Sequence, residues 1–193
     1  MTVGRPRSIE ADQAIVEAAL AEYARYGLDA MSVDAVAARA GVSKATIYRR
    51  YPSKIDLVEA AAQMACDESA PKDDAGSLRG DLRATLRNLR RMLDDPVVGA
   101  AKRMLIFDAM RNDELARMHK ELVQRRRAVT KAMFQRAIER GELQPDLDLE
   151  FACDALGAPI FYRHLMMHET VSDRYIEKVI DGFVARYGVL QDA

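Results

Sequence analysis

The stretch SVDAVAARAGVSKATIYRRYPSKIDL, residues 32–57, contains the pattern that decides the fold of this 193-residue chain. Ser32, Ser43 and Ser53 each stand just before a short run with helical periodicity, as residues that cap helix N-termini do. Gly41 lies between the first two runs, where a sharp turn favours a residue free to adopt positive φ. Pro52 closes the second run, because the residue before proline avoids helical geometry. The stretch therefore predicts two short helices joined by a tight turn, followed by the start of a third.

Basic side chains are concentrated in the second half of this stretch. Residues 39–54 include five Lys or Arg and no Asp or Glu. A helix-turn-helix places its second helix in the major groove of DNA, with the first residues of that helix at the base edges. We therefore expect Ser43, Lys44, Ala45 and Thr46 to read bases, with Lys44 donating to guanine acceptors.

Other residues of this region are suited to the DNA backbone. Tyr48, Arg49 and Lys54 are predicted to contact phosphates, which position a protein without reading sequence. Ser32 begins a helix whose free N–H groups suit a phosphate. Arg5 and Arg7 precede the first helix and are expected to lie along the duplex or to enter a minor groove.

The composition limits the class of protein. The net charge of −1 excludes a chain that coats nucleic acid through overall basic charge. The prediction of DNA binding therefore rests on the local basic cluster. Two cysteines, Cys66 and Cys153, provide no disulfide framework and fit a reducing, cytoplasmic compartment as buried thiols. The N-terminus lacks the apolar core of a signal peptide, and no apolar run reaches the length of a membrane helix.

The remainder of the chain shows helical periodicity, so we predict an all-α fold of about nine helices. The first helix is predicted to begin after Ser8 and to run to about Tyr26, and Pro159 predicts a kink or break in the penultimate helix. Residues 67–77 are polar and contain Pro and Gly, which indicates a linker. The predicted division is residues 1–57 for the DNA-binding domain, 58–77 for a connecting helix and linker, and 78–193 for effector binding and dimerisation.

Residues 9–60 closely resemble the N-terminal domain of the tetracycline-repressor (TetR) family of bacterial transcription regulators. Two mild departures are Tyr23 and Tyr51, where other aromatic residues are commoner. The matching positions are Ala18, Ala19, Gly27, Ser32 to Ala37, Ala40 to Ser43, Thr46 to Tyr48, Tyr51, Ser53, Lys54 and Leu57. The resemblance implies a homodimeric regulator that binds operator DNA and has a C-terminal domain for a small molecule.

Methionine and aromatic residues in the C-terminal half are candidates for an effector pocket, because thioethers fill irregular apolar space. Ordinary core packing is the alternative for each of them. The candidates are Met104, Phe107, Met110, Met118, Met133, Phe134, Phe161 and Tyr162. The function predicted is a repressor released by a small apolar or aromatic molecule. Control by a partner, a metal or a redox change stays open as the alternative.

The last two helices have wide apolar faces, which favours a homodimer formed through them, since a helix-turn-helix reads its operator as a symmetric pair. His164 and His168 are four residues apart and could share a helix face, but no third metal ligand has a matching spacing. We therefore expect no metal site and no cofactor. The chain also lacks nucleophile–base patterns, phosphate loops and Glu-x-x-His pairs, so we do not expect an enzyme.

Overall fold

A computed structural model of the chain describes residues 6–68 and 74–189. Over those residues the chain forms nine α-helices and one π-helical turn, which confirms the all-α prediction. The helices are α1 (Pro6–Ala30), α2 (Val33–Ala40), α3 (Lys44–Arg50), α4 (Lys54–Glu68), α5 (Leu78–Asp94), α6 (Val98–Ala109), α7 (Asp113–Glu139), α8 (Leu149–Phe161) and α9 (Asp173–Tyr187), with the π turn at Tyr162–Met166.

The first helix differs from its predicted bounds at both ends. It begins at Pro6, so Ser8 lies inside the helix and does not cap it. Proline suits a first helical position because its missing N–H would have no partner there. At the other end, Gly27 adopts φ 70° and ψ 178° and kinks the helix, which then continues for residues 28–30. Tyr26, just before the kink, is 44% exposed.

Helix α8 passes through Pro159, so the predicted break does not occur at that residue. The helical hydrogen bonding changes at Tyr162, where a π turn begins and the Met167 N–H donates to the Tyr162 carbonyl at 3.1 Å. Proline removes only one N–H donor, and the helix tolerates this loss without ending there.

The helices form two compact units that do not follow chain order. The first unit comprises Met1–Glu68 and Asp95–Leu122, and the second comprises Ser69–Asp94 and Val123–Ala193. Helix α6 therefore packs with α1 and α4, although the division predicted from the sequence assigns it to the same domain as α5. The apolar stripe of α6 is buried against α1, which brings residues distant in sequence into one core.

In the second unit, α5 packs against α8 and α9, and an apolar core lies between them. Phe183 of α9 stacks on Phe134 of α7, with ring centroids 5.4 Å apart, and contacts Tyr187 at 4.9 Å. Beside this core, arginines of α5 form a ladder of ion pairs with carboxylates of α9. The pairs are Arg79–Asp181, Arg83–Glu177, Arg87–Asp173 and Arg90–Asp173.

Candidate nucleic-acid interface

The turn between α2 and α3 has the geometry that the sequence predicts. Ser32 Oγ accepts the Ala35 N–H at 3.2 Å, and Ser43 Oγ accepts the Thr46 N–H at 3.1 Å, so each serine caps its helix. Gly41 ends α2 in the left-handed region, at φ 67° and ψ 30°. These local bonds fix where α3 begins relative to α2.

Helix α3 has one buried side and one exposed side. Ile47 is 1% exposed and anchors the helix in the first unit. The opposite side of α3 is open to solvent, and Thr46 at its first turn is half-buried. In α3 and its cap, the exposed residues among those predicted to face DNA are Ser43, Lys44, Ala45, Tyr48 and Arg49. An exposed helix face of this composition can enter a groove and donate to bases and phosphates.

The predicted base-reading lysine has an ion-pair partner on α2. Lys44 Nζ donates to Asp34 Oδ2 at 2.8 Å, and both side chains are exposed. The hydrogen bond from this carboxylate raises the pKa of the Lys44 ammonium above its usual value. Lys44 therefore stays charged, but one of its three donors is directed at Asp34.

The backbone amide of Ser32 is already occupied. It donates to Glu22 Oε1 at 3.2 Å, and Glu22 is a carboxylate on α1 that is only 5% exposed. Sequence reasoning missed Glu22, because nothing in its local pattern distinguishes it from a surface residue. The phosphate contact at Ser32 stays a prediction, with one amide fewer available for it.

Lys54 is the first residue of α4, and its side chain reaches the end of α1. Its Nζ donates to the backbone carbonyls of Leu28 at 3.4 Å and Asp29 at 3.2 Å, and so satisfies carbonyls that follow the kink at Gly27. Its predicted phosphate contact is untested by this arrangement. Arg5 and the side chain of Arg7 lie outside the described residues.

A second contact fixes the kinked end of α1. Asp108 Oδ2 of α6 accepts the Tyr23 hydroxyl at 3.0 Å and the Leu28 N–H at 3.2 Å. Burial and the Asp108 carboxylate together hold the pKa of Tyr23 far above its usual value, so this phenol remains a donor. A cleft of about 120 Å³ opens beside this contact. Its lining residues are Leu28, Asp29, Asp108, Arg111, Asn112 and Leu115.

The predicted effector residues are divided between the two units. Met118 and the half-buried Met104 pack into the core of the first unit, whereas Met133, Phe134 and Phe161 pack into the core of the second. The remaining three lie at the surface. They are Phe107, Met110 and Tyr162, at 54%, 81% and 60% exposure. The eight residues therefore do not lie within one apolar core. An effector pocket that includes all of them remains a prediction.

The histidines and cysteines considered as metal ligands or reactive thiols lie as follows. His164 Nδ1 lies 3.6 Å from Asp94, and His168 is exposed with φ 52°. Among residues 6–68 and 74–189 no three metal-ligating side chains form a cluster. Cys66 and Cys153 are half-buried, so the prediction of buried thiols is only partly met, and burial raises the pKa of Cys153. No helix in the described part of the chain is long and apolar enough to span a membrane.

Comparison with known proteins gives matches along nearly the whole chain. Residues 15–61 match the profile described as "Bacterial regulatory proteins, tetR family", and residues 72–183 match "Tetracyclin repressor-like, C-terminal domain". The HTH-type transcriptional regulator YdeS of Bacillus subtilis is 33% identical over 92% of this chain and 89% of its own length. The DNA-binding transcriptional repressor TetR of Mycobacteroides abscessus is 34% identical over 87% of this chain and 88% of its own.

Solved structures agree with the sequence matches. A TetR-family transcriptional regulator from Mesorhizobium loti superposes with a TM-score of 0.74 at 26% identity, covering 96% of this chain and all of that chain. The TetR-family regulator SCO0332 superposes with the same TM-score and identity over 91% of this chain and 97% of its own. The helix-turn-helix geometry, both family profiles and these relatives lead to one conclusion. The chain belongs to the TetR family of helix-turn-helix transcription regulators, whose members bind operator DNA and dimerise.

Proposed function

We propose that this protein is a homodimeric repressor that binds its operator through α2 and α3 and is released from it by a small apolar or aromatic molecule. The function implies the cytoplasm, where the bacterial chromosome lies. The observation that carries the DNA-binding part is the division of α3 into a buried side at Ile47 and an exposed side with Lys44, Tyr48 and Arg49.

The arrangement of α3 supports base reading at its first turn. Lys44 and Ala45 are exposed there, and the Thr46 hydroxyl lies 2.9 Å from Ser43 Oγ, which holds both hydroxyls at the start of the helix. Tyr48 and Arg49 come one turn later, where a helix lying in the major groove passes close to the phosphates. The contacts of Lys54, Ser32, Arg5 and Arg7 belong to the same proposal.

The test is binding of the purified protein to the DNA flanking its own gene, followed by fluorescence anisotropy at two salt concentrations. We expect nanomolar-range affinity, a steep salt dependence, and much weaker binding to a scrambled duplex of the same composition. If no duplex selected from that DNA or from a random library binds better than the scrambled one, specific regulation is excluded.

Release by a small molecule is supported by the tetracyclin repressor-like C-terminal profile and by the methionine and aromatic side chains of the second unit. Met133, Phe134 and Phe161 pack there beside α8, where a modest rearrangement of flexible side chains can admit an apolar ligand. A ligand changes operator affinity only through its different affinities for the two states of the protein. A screen of apolar and aromatic compounds against a labelled operator complex tests this. Compounds that bind without changing operator affinity contradict it.

Dimerisation through the last two helices is supported by an apolar stripe on α8. Phe151 is 59% exposed, Tyr162 is 60% exposed, and Ala155 and Ala158 lie between them at helical spacing. On α9, Gly182 and Ala185 are also exposed, and small residues allow two helices to approach closely. Two such helices from each protomer can form a four-helix interface.

A further inference from the structure

Residues 32–54, the segment proposed to read DNA, contain one carboxylate whose negative charge opposes binding to DNA. Residues 32–54 include five Lys or Arg and a single acidic residue, Asp34. Asp34 has a specific partner, because its Oδ2 is 2.8 Å from the Nζ of Lys44. The only negative charge in the sequence of this segment is therefore paired with the side chain expected to read bases.

The pair is open to solvent on both sides. The Lys44 side chain is 49% exposed and that of Asp34 is 71% exposed. Exposed ion pairs are weak, so a better partner for Lys44 can displace Asp34. The other four segment cations are arranged differently. Arg50 forms an ion pair with Asp12 of α1 at 2.7 Å, Lys54 donates to backbone carbonyls, and Arg39 and Arg49 are exposed.

We propose that Asp34 is a specificity-determining residue, which acts on Lys44 and penalises DNA that offers phosphates but not the correct bases. The inference rests on the DNA-binding function proposed above. While Lys44 remains paired, it releases no counterion from DNA and adds nothing to non-specific binding. On DNA that offers only phosphates, Lys44 must leave Asp34 to make a contact, and the bare carboxylate then faces a polyanion. A duplex that supplies guanine acceptors is read while Lys44 keeps its bond to Asp34, so it does not meet that repulsion.

Asp34 also restricts where the ammonium can go. A lysine ammonium has three donors on a flexible stem, and by itself it reaches phosphates as easily as base edges. With one donor directed at Asp34, the remaining two are held near the first turn of α3. Asp34 is thus a positioning residue for Lys44 as well as a source of repulsion.

The test compares wild-type protein with Asp34→Ala on two duplexes, one selected by the wild type from a random library and one scrambled. We expect Asp34→Ala to bind the scrambled duplex about five- to tenfold more tightly, with a salt slope steeper by about one, because the freed Lys44 takes a phosphate. Affinity for the selected duplex should change by no more than about twofold, so discrimination falls about fivefold.

Three further variants separate this role from general electrostatics. Asp34→Glu keeps the carboxylate and should retain the wild-type discrimination. Glu114→Ala removes an exposed carboxylate from α7 and should leave both affinities unchanged. In a Lys44→Ala background, Asp34→Ala should no longer alter discrimination, because its effect acts through that lysine. Circular dichroism melts confirm that each variant is folded.

The opposite results are distinct. Equal gains on both duplexes, no change on either, or an undiminished effect in the Lys44→Ala background would each overturn the role of Asp34 while leaving DNA binding intact. A wild-type protein that selects no sequence would overturn this inference together with the proposed function.

Discussion

At the scale of single residues, Ile47 holds the DNA-facing helix to its unit. Helix α3 has only seven residues, and Ile47 is its one buried residue. We expect Ile47→Ala to lower the free energy of unfolding by about 2–5 kcal/mol, because it removes buried methyl groups and leaves a cavity. Urea denaturation followed by circular dichroism measures the loss.

The matched control for Ile47 is Val129→Ala on α7. Val129 is 42% exposed, although the periodicity of α7 predicts that it faces inward. Its truncation should change the unfolding free energy by no more than about 0.5 kcal/mol. A loss at Ile47 as small as that at Val129 would show that α3 is held by its caps and not by this side chain.

Arg49 gives a second prediction at the residue scale. It is exposed on α3, beyond the expected base-reading turn. Arg49→Ala should weaken binding to operator and scrambled DNA by the same factor and reduce the salt slope by about one, as loss of a phosphate contact does. Anisotropy titrations at several salt concentrations check this. Arg117→Ala, an exposed arginine of α7, is the control, and a loss confined to the operator would assign base reading to Arg49.

At the scale of elements, two glycines with positive φ shape the first unit differently. At Gly41 an added Cβ meets no atom within 4 Å, so Gly41→Ala costs only backbone strain, about 1 kcal/mol. At Gly27 an added Cβ lies 3.1 Å from Met104 Sδ, so Gly27→Ala must also displace the Met104 side chain by a few tenths of an ångström and should cost more. Unfolding curves of the two variants test the order, and equal losses would mean that Met104 moves freely.

The contact between α6 and α7 predicts a dependence on pH. Lys102 Nζ lies 3.1 Å from His119 Nε2, and burial together with this ammonium lowers the pKa of His119 from 6.5 to about 4. Between those values the unfolded chain binds a proton that the folded chain does not. The unfolding free energy should therefore fall by roughly 1–2 kcal/mol as the pH drops from about 6.5 to about 4, after allowance for the half-exposed ring.

Urea unfolding at about pH 7 and about pH 5 measures this change. His119→Gln should be less sensitive to pH than the wild type, because it removes the titrating group. His168→Gln, on an exposed ring, should keep the wild-type dependence. An unaltered dependence in His119→Gln would place the responsible group elsewhere.

The elements that sequence reasoning predicted well are those set by local chemistry. Ser32 and Ser43 cap α2 and α3, and Gly41 takes the left-handed conformation. In each case the deciding bond joins residues within a few positions. For the same reason, the helix-turn-helix and its exposed face could be predicted from a single sequence.

Features that depend on residues distant in the sequence could not be predicted from the sequence alone. The contact of Asp108 with Leu28 at the kinked end of α1 spans 80 positions, and Glu22 reaches Ser32 from another helix. Periodicity does not indicate that α6 packs against α1 instead of α5, since an apolar stripe shows which face is buried but not which helix covers it. The ion pair of Lys44 with Asp34 was missed because it joins two helices across the turn.

At the scale of the whole molecule, the exposed α8 stripe predicts how the protein assembles. The double variant Phe151→Glu/Tyr162→Glu should sediment as a single chain, because charges cannot be buried in an apolar interface without a partner. The wild type should sediment with the mass of two chains. The double variant should also lose at least about tenfold in operator affinity, since two half-sites no longer act together.

A suitable control is Val97→Glu, which adds a charge at another exposed apolar position. It should remain a dimer with unchanged operator affinity. A dimeric Phe151→Glu/Tyr162→Glu variant would move the interface away from α8.

The ladder between α5 and α9 has a consequence for how these helices align. Its pairs recur every four residues on both helices: Arg79, Arg83 and Arg87 face Asp181, Glu177 and Asp173. Sliding one helix past the other by one turn would again place arginines opposite carboxylates. The repeated ion pairs thus favour antiparallel packing of α5 and α9 but do not select one register over another. The register depends instead on the aromatic packing beside the ladder, in which Phe183 of α9 stacks on Phe134 of α7.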